Sequence, residues 1–414
     1  MIAMAMFEPL TIRGVTFKNR IFKAATHDGS NFEDMRTVYT RLARNDVALV
    51  TVAYVAVSRT NKTFDNQHHI GADNLKSWSA LCRSVHATGA KLSAQLHHPG
   101  LFCMSSEGQP MGPSLFWLPS KLAWPQTLDV EMLEEIKSEF ELAARLCVEA
   151  GFDCIELHCG HGYLLSQFLT PIINRRGDIY GGSVEARARF PAEVLSRIRC
   201  VVGNSFPLFV KMNSDDGFPF PGGLGIDDSL IAAQVLSKSG ADAIIPTYGY
   251  TSLNGFGMLR GNVPLAKMSE ALPSGSRWIA KALGRYVVPH IEYEPFFLRS
   301  IAQRYINAMA ATPTTVIYIG GADSSDGIEA VLSDGCAAVQ LGRALIREPY
   351  FVRKIRKAWR ENAASSIQSK CIRCNLCTLA SIDPDKFKAG CPWLKRGEGG
   401  DLEDGYDDLV SARL

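Results

Sequence analysis

Eight short apolar runs recur along this chain, and their spacing limits what it can fold into. They occupy residues 21–25, 47–53, 90–96, 152–157, 206–212, 242–245, 315–319 and 337–341. Several are near-continuous in apolar residues, the pattern of parallel strands covered on both faces. Segments of helical character separate most of them, at 75–86, 132–149, 184–198, 229–237, 296–309 and 327–332, with a closing one at 350–359. Within 132–149 the positions Ile136, Phe140, Ala143, Ala144 and Cys147 follow a period near 3.6. Eight strands joined by helical crossovers predict an α/β fold, a (β/α)₈ TIM barrel. An open doubly wound sheet is the alternative, weakened because no Gly-x-Gly-x-x-Gly pattern follows the first strand. Residues 7–20 read as a hairpin with its turn near Arg13-Gly14, a cap on the barrel.

The 414 residues divide on this reading into a barrel over 1–362 and a cysteine-containing extension over 363–414 packed on it. Forty-four basic and 42 acidic side chains leave a formal charge of +2, which gives no reason to expect nucleic acid or an anionic membrane as partner. No apolar run approaches the roughly 18–20 residues that span a bilayer. The N-terminal stretch has no basic region ahead of its apolar residues, so it does not read as a secretory signal, and a cytoplasmic location is expected. A small-molecule substrate is the expected partner, and the oligomeric state is left open between a monomer and a homo-oligomer. Two connections, 97–128 and 246–295, are too long to be plain loops. Both follow strands, so they belong at the C-terminal face of the barrel, where active sites are built.

Side chains just past the strand ends should converge there. In chain order they are Ala25 and Thr26, Tyr54, Gln95 and His98, His158, His161 and Tyr163, Lys211 and Asn213, Gly320-Gly321, and Gly342-Arg343. The two glycine pairs follow the last two strands, where bare backbone N–H groups and an arginine fork suit a phosphate; tight turns are the plain alternative. His158 and His161 flank a turn after the fourth strand with Tyr163 behind them. A metal would need a third ligand; two imidazole donors on a developing oxyanion, with Tyr163 as proton donor, fit better. Asp178 and Glu185 lie among Arg175, Arg176, Arg187 and Arg189 and read as ion pairs tying a loop to its helix. Asp215-Asp216 could face the pocket.

The eleven cysteines are scattered, so this is no disulfide scaffold. Four are grouped: Cys371, Cys374 and Cys377 at x₂, x₂ spacing, then Cys391 with Pro392. That spacing suits a [4Fe–4S] cluster or a Cys₄ zinc site. A reduced set without metal is the alternative.

Several stretches resemble the old yellow enzyme family of flavin-dependent ene reductases over residues 7–360. FEPLTIRGVTFKNRIFKAAT is similar to its N-terminal hairpin and first strand, and AQLHHPG to its QLxHxG loop. LHCGHGYLLSQFLTPIINRRGDIYGGSVEARARF follows its longest motif almost residue for residue, and VQLGRALIREPYFVRKI resembles its final phosphate loop and helix. The resemblance implies bound FMN and NAD(P)H as co-substrate. It implies Ala25 and Thr26 at the pyrimidine and C4 carbonyl, Gln95 on the pyrimidine, and Lys211 near N1 and O2. It also implies Gly320, Gly321, Gly342 and Arg343 on the phosphate, His158 and His161 on the substrate oxygen, and Tyr163 protonating Cα after hydride reaches Cβ from flavin N5.

Three positions depart from the family pattern: Lys211 stands where arginine is common, Tyr54 where a small residue lies beside the flavin, and His27 follows a first strand that usually ends APM. The cysteine group is similar to that of larger members that carry a [4Fe–4S] cluster, although the further nucleotide-binding domains of those enzymes do not follow here. The implied activity is reduction of the C=C bond of α,β-unsaturated carbonyl compounds. The alternatives are an amine dehydrogenase or demethylase using the same pocket oxidatively, and a flavin-binding barrel without turnover.

Overall fold

The computed structural model describes residues 4–27, 29–115, 125–251, 255, 257–271, 290–362, 365–381, 383, 386, 387 and 389–394. Parts of both long connections and the end of the tail, 395–414, lie outside the described residues.

All eight apolar runs are strands: β1 (Ile21–Lys23), β2 (Leu49–Ala56), β3 (Lys91–His97), β4 (Cys154–Cys159), β5 (Leu208–Asp215), β6 (Ala243–Tyr248), β7 (Thr315–Tyr318) and β8 (Ala338–Leu341). Each pairs in parallel with the next, and β8 with β1, so the sheet closes into a barrel. The helices are α1 (Phe32–Arg44), α2 (Leu75–His86), α3 (Val130–Ala150), α4 (Val184–Val202), α5 (Ile226–Lys238), α6 (Arg299–Met309), α7 (Ser325–Ser333) and α8 (Phe351–Arg360). One of them, α1, has no counterpart in the apolar pattern. Its polar face is dense with charge, but Asn31 caps it by accepting from the Asp34 N–H, and Met35, Tyr39 and Leu42 carry its buried stripe.

The barrel's lower end is filled from below. The hairpin Leu10–Ile12 with Val15–Phe17 inserts Ile12 and Phe17 against Phe22, Leu49, Phe209 and Ile245. Phe17 lies 4.9 Å from Phe22 and 6.4 Å from Phe209, centroid to centroid. Asp242 ties hairpin to barrel: its carboxylate takes Arg13 at 2.5 Å, Arg199 at 2.5 Å and the Leu208 N–H at 2.8 Å. With the base dry and plugged, only the C-terminal end of the barrel is left for polar chemistry. No helix among the described residues is long and apolar enough to cross a membrane.

The tail runs back across that end. Ser325 N–H donates to Ile367 O, Ser369 N–H to Asp323 O, and Asn262 N–H to Arg373 O. Residues 367–375 therefore reach the loops after β6 and β7.

Candidate active site

The strand ends open onto a cavity of about 150 Å³. Ala25 and Thr26 line it beyond β1, Lys211 on β5 and Gln340 on β8. His161 enters from the loop after β4. Gly320, Gly321, Gly342 and Arg343 form its far end with two tail residues, Cys371 and Arg373.

The floor is a buried polar layer that sequence reasoning found only in part. Glu156, in the middle of β4, has no exposed surface. Its Oε1 lies 2.8 Å from Lys211 Nζ and accepts from Gln95 Nε2 at 2.6 Å; its Oε2 accepts from Gln340 Nε2 at 2.6 Å. A buried ion pair persists when its other lone pairs are satisfied, and the two amides do this here. Gln95 is turned to this carboxylate and does not itself line the cavity. Lys23, also buried, holds the β1 end by donating to Ala24 O at 2.9 Å, Thr26 Oγ1 at 3.0 Å and Thr51 O at 3.3 Å. Glu156, Gln340 and Lys23 are polar residues inside apolar runs, and that interruption is the signal that could have found them.

At the far end, Gly320 (φ +122°) and Gly321 (φ +70°) adopt backbone that other residues avoid. A Cβ on Gly321 would also fall 2.9 Å from the Phe296 nitrogen. Gly342 has no such need, since its nearest neighbour would be Thr26 Cγ2 at 3.7 Å. Arg343 is oriented by Asn375 Oδ1 at 2.6 Å, Arg260 O at 3.1 Å and Leu259 O. Among the described residues no carboxylate pairs with it. Arg373, which lies between the tail cysteines, brings a second guanidinium. It stacks 4.1 Å over the Tyr293 ring and pairs with Asp323.

His161 occupies left-handed backbone (φ +59°), uncommon for a non-glycine residue and held here by Asn213, whose Oδ1 accepts the His161 N–H at 2.9 Å. Asn213 Nδ2 in turn donates to Asp216 at 2.7 Å and Gly249 O at 2.9 Å. Asp216 thus braces the turn from behind instead of facing the cavity, and burial lifts its carboxyl to about 6. The His161 ring lies 3.0 Å from Thr247 Oγ1 through Nε2.

His158 stands one ring behind, 4.9 Å from His161 and 5.1 Å from Tyr163. Its Nδ1 accepts the Gly160 N–H at 3.3 Å, which places its ring proton on Nε2. Burial, then the neighbouring His161 and the Lys211 charge, keeps His158 neutral, and burial pushes His161 down to about 3. Burial moves the Tyr163 hydroxyl the other way, up to about 12. The site therefore offers neutral imidazoles and a protonated phenol near pH 7.

Tyr54 does not line the cavity. The register of β2 against β3 slips between Val52 and Val55, and Tyr54 in that irregular stretch packs 5.3 Å from Tyr163, 4.7 Å from His97 and 5.1 Å from His27. It belongs with the Tyr163 cluster. Of the loop charges, Asp178 pairs with Arg176 at 2.5 Å, while Arg187 turns to Asp228 at 2.6 Å.

The residues fit a flavin mononucleotide. Gln340 Oε1 is a buried acceptor with no partner, suited to a ring N–H. The opposite end holds two guanidiniums and strained glycine backbone, suited to a phosphate. The cysteines are less conclusive. Cys371, Cys374, Cys377 and Cys391 line one small cavity beside Arg343 and Arg347, and all four are free thiols. Yet among the described residues no three or more His, Cys, Asp or Glu side chains group as ligands for a metal ion.

Residues 5–246 match the family model described as the NADH:flavin oxidoreductase / NADH oxidase family. The 4,4'-dithiodibutanoate disulfide reductase of Rhodococcus erythropolis is 35% identical over 381 residues, 90% of this chain and 92% of its own. An NADPH dehydrogenase of Geobacillus sp. (strain WCH70) is 35% identical over 247 residues, 58% of this chain and 71% of its own. Among solved structures, a 2-naphthoyl-CoA reductase in complex with 2-naphthoyl-CoA shares the fold with a TM-score of 0.70 at 22% identity, over 86% of this chain. The chain spans about half the length of that protein, 52%. The closed barrel agrees with these likenesses, and the chain belongs to the NADH:flavin oxidoreductase / NADH oxidase family, the old yellow enzyme family of flavin-dependent oxidoreductases.

Proposed function

We propose that this chain reduces the activated C=C bond of α,β-unsaturated carbonyl compounds at the expense of NAD(P)H. Ala25, Thr26, Lys211, Gln340, Gly320, Gly321, Gly342, Arg343 and Arg373 would hold FMN, with Gln95 acting from beneath. Bound there, FMN would supply the two-electron redox chemistry between NAD(P)H and the alkene. His161, with His158 behind it, holds the carbonyl oxygen as a neutral donor while negative charge builds there. Tyr163 gives its proton to the α-carbon, and solvent later restores it. Phe102, Tyr54 and His97 pack around the Tyr163 ring and keep water from competing with the substrate.

The observation that carries the proposal is Tyr163, buried, held protonated, and packed on His158, which in turn packs on His161. The test is anaerobic. Purified protein loaded with FMN should bleach on adding NADPH or NADH and regain its colour when 2-cyclohexenone is added, with cyclohexanone as product. Protein that binds no FMN, or whose reduced flavin is not reoxidised by any enone tried, would refute it.

The R. erythropolis relative favours a second reading because the likeness covers nearly its whole length. The same site would then cleave an organic disulfide: one hydride and one proton convert R–S–S–R to two thiols, with Tyr163 as the proton source. Thiol release from 4,4'-dithiodibutanoate faster than the reduction of any enone would favour it.

Cys371, Cys374, Cys377 and Cys391 are the residues that would hold a [4Fe–4S] cluster or a zinc ion. Their shared cavity supports that assignment. Iron, acid-labile sulfide and zinc analysis of anaerobically prepared protein tests it, and metal-free protein with four reactive thiols would refute it.

A further inference from the structure

One fully buried charge in the barrel is left without a role by the proposed reaction. Glu156 is fully enclosed, and its partners arrive from three other strands: Gln95 on β3, Lys211 on β5 and Gln340 on β8. An ionised carboxylate only accepts hydrogen bonds, so every partner must present a donor to it. For Gln340 this has a geometric consequence. Its amide NH₂ is committed to Glu156 at 2.6 Å, which turns its unpartnered Oε1 the other way. A flipped amide would put two donors at the same place.

The electrostatic consequence is larger. Lys211 lines the cavity, and its ammonium is 2.8 Å from Glu156 Oε1 with 2% and 0% of the two side chains exposed. In so dry a setting the two fields cancel strongly at any distance well beyond their separation. The lysine that faces the flavin ring is therefore half of a nearly neutral pair, not a free cation.

We infer that Glu156 is a positioning residue that tunes the bound flavin: it orients Gln340 and Lys211 and offsets the lysine charge, so that the reduced flavin is stabilised less and remains a stronger hydride donor. This inference rests on the FMN reading above. Substrate does not touch Glu156, so its effect should appear in the flavin's redox equilibrium and not only in turnover.

The test is the midpoint potential of protein-bound FMN, measured by anaerobic dye equilibration for wild type and Glu156→Gln. Glutamine keeps the size and an acceptor for Lys211 but removes the charge. The variant should favour reduced over oxidised FMN at least tenfold more than wild type does, a rise of about 30 mV for a two-electron couple. Removing one member of a buried ion pair is strongly destabilising, so a second comparison is made on a background without the ion pair. Lys211→Met is set against Glu156→Gln/Lys211→Met, and the double variant should again lie at the higher potential. Equal potentials in the comparison that folds, or a lower one on removing the carboxylate, overturn the inference while leaving the FMN reading intact. Wild-type protein that retains no flavin overturns both.

Discussion

Lowering the pH from 7 to 5 should cost this protein a measurable part of its stability, through histidines the fold keeps neutral. His98 is 1% exposed, and burial holds it at about 3, against an ordinary value of 6.5. Below pH 6.5 the unfolded chain takes up a proton that the folded chain refuses, so stability present above that value is lost as the pH falls towards 3. Between pH 7 and 5 the linkage amounts to about 2 kcal/mol for His98. His161 has the same direction and value but opens onto the cavity, so its share is smaller. His97 and His158 are lowered by burial as well and add to the loss. Asp216 opposes it. Its carboxyl is raised to about 6 from 3.8, so the folded state gains the proton first and recovers about 1.4 kcal/mol over the same interval. The four histidines outweigh this one carboxyl, so the balance is a net loss from the roughly 5–15 kcal/mol available to a domain. Urea unfolding of the apoprotein at the two pH values, at constant ionic strength, reads this as a fall in midpoint without a change in slope. A His98→Gln/His161→Asn variant should show a smaller fall. Equal midpoints at pH 7 and 5, or an undiminished fall in the double variant, would refute the argument that these imidazoles are held neutral by burial.

Three further outcomes follow from the site. Tyr163→Phe should slow enone-dependent reoxidation of the flavin by roughly 10²–10⁴-fold, the usual range for a lost general acid, and leave flavin reduction by NAD(P)H nearly unchanged; stopped-flow spectroscopy separates the two steps. Gly321→Val places a branched side chain at φ +70° and against the Phe296 nitrogen, so it should weaken FMN binding at least tenfold in a titration followed by flavin fluorescence. Asp216→Asn, which removes a buried carboxyl but keeps its shape, should steepen the fall in stability between pH 6 and 4, because the proton uptake that offsets the histidines is lost; equilibrium unfolding is the measurement.

The fold was legible because a parallel barrel leaves a repeated mark: strands covered on both faces cannot hide their apolar character. Five of the barrel strands run one to three residues past the apolar stretch, into polar positions such as His97 and Asp215. Helix α1 escaped because its buried stripe is interrupted by Glu33, Asp34, Arg36, Arg41 and Arg44. The polar positions at and just past the strand ends were also legible, His158, His161 and Tyr163 above all, since turns after strands announce themselves. The rest of the polar layer deeper in the strands was not. Glu156 sits in the run Cys154–Cys159 and Gln340 in Ala338–Leu341, where a single polar residue reads as noise. Only the closed barrel, which brings strands three, four, five and eight to one centre, turns those interruptions into a layer.

Tyr54 makes the same point from the other side. The family resemblance puts it next to the flavin. The register of its strand slips between Val52 and Val55, and the ring packs against Tyr163. Such slips depend on how two strands meet across the sheet, which no single stretch of sequence contains. The consequence is functional. A large ring beside the flavin would narrow the cofactor site, whereas a ring beside Tyr163 shapes the space a substrate must use. Tyr54→Ala should therefore leave FMN affinity within a few-fold of wild type and change the KM for enones of different bulk. A large loss of FMN with unchanged substrate preference would return Tyr54 to the cofactor and refute the assignment drawn from the bulge.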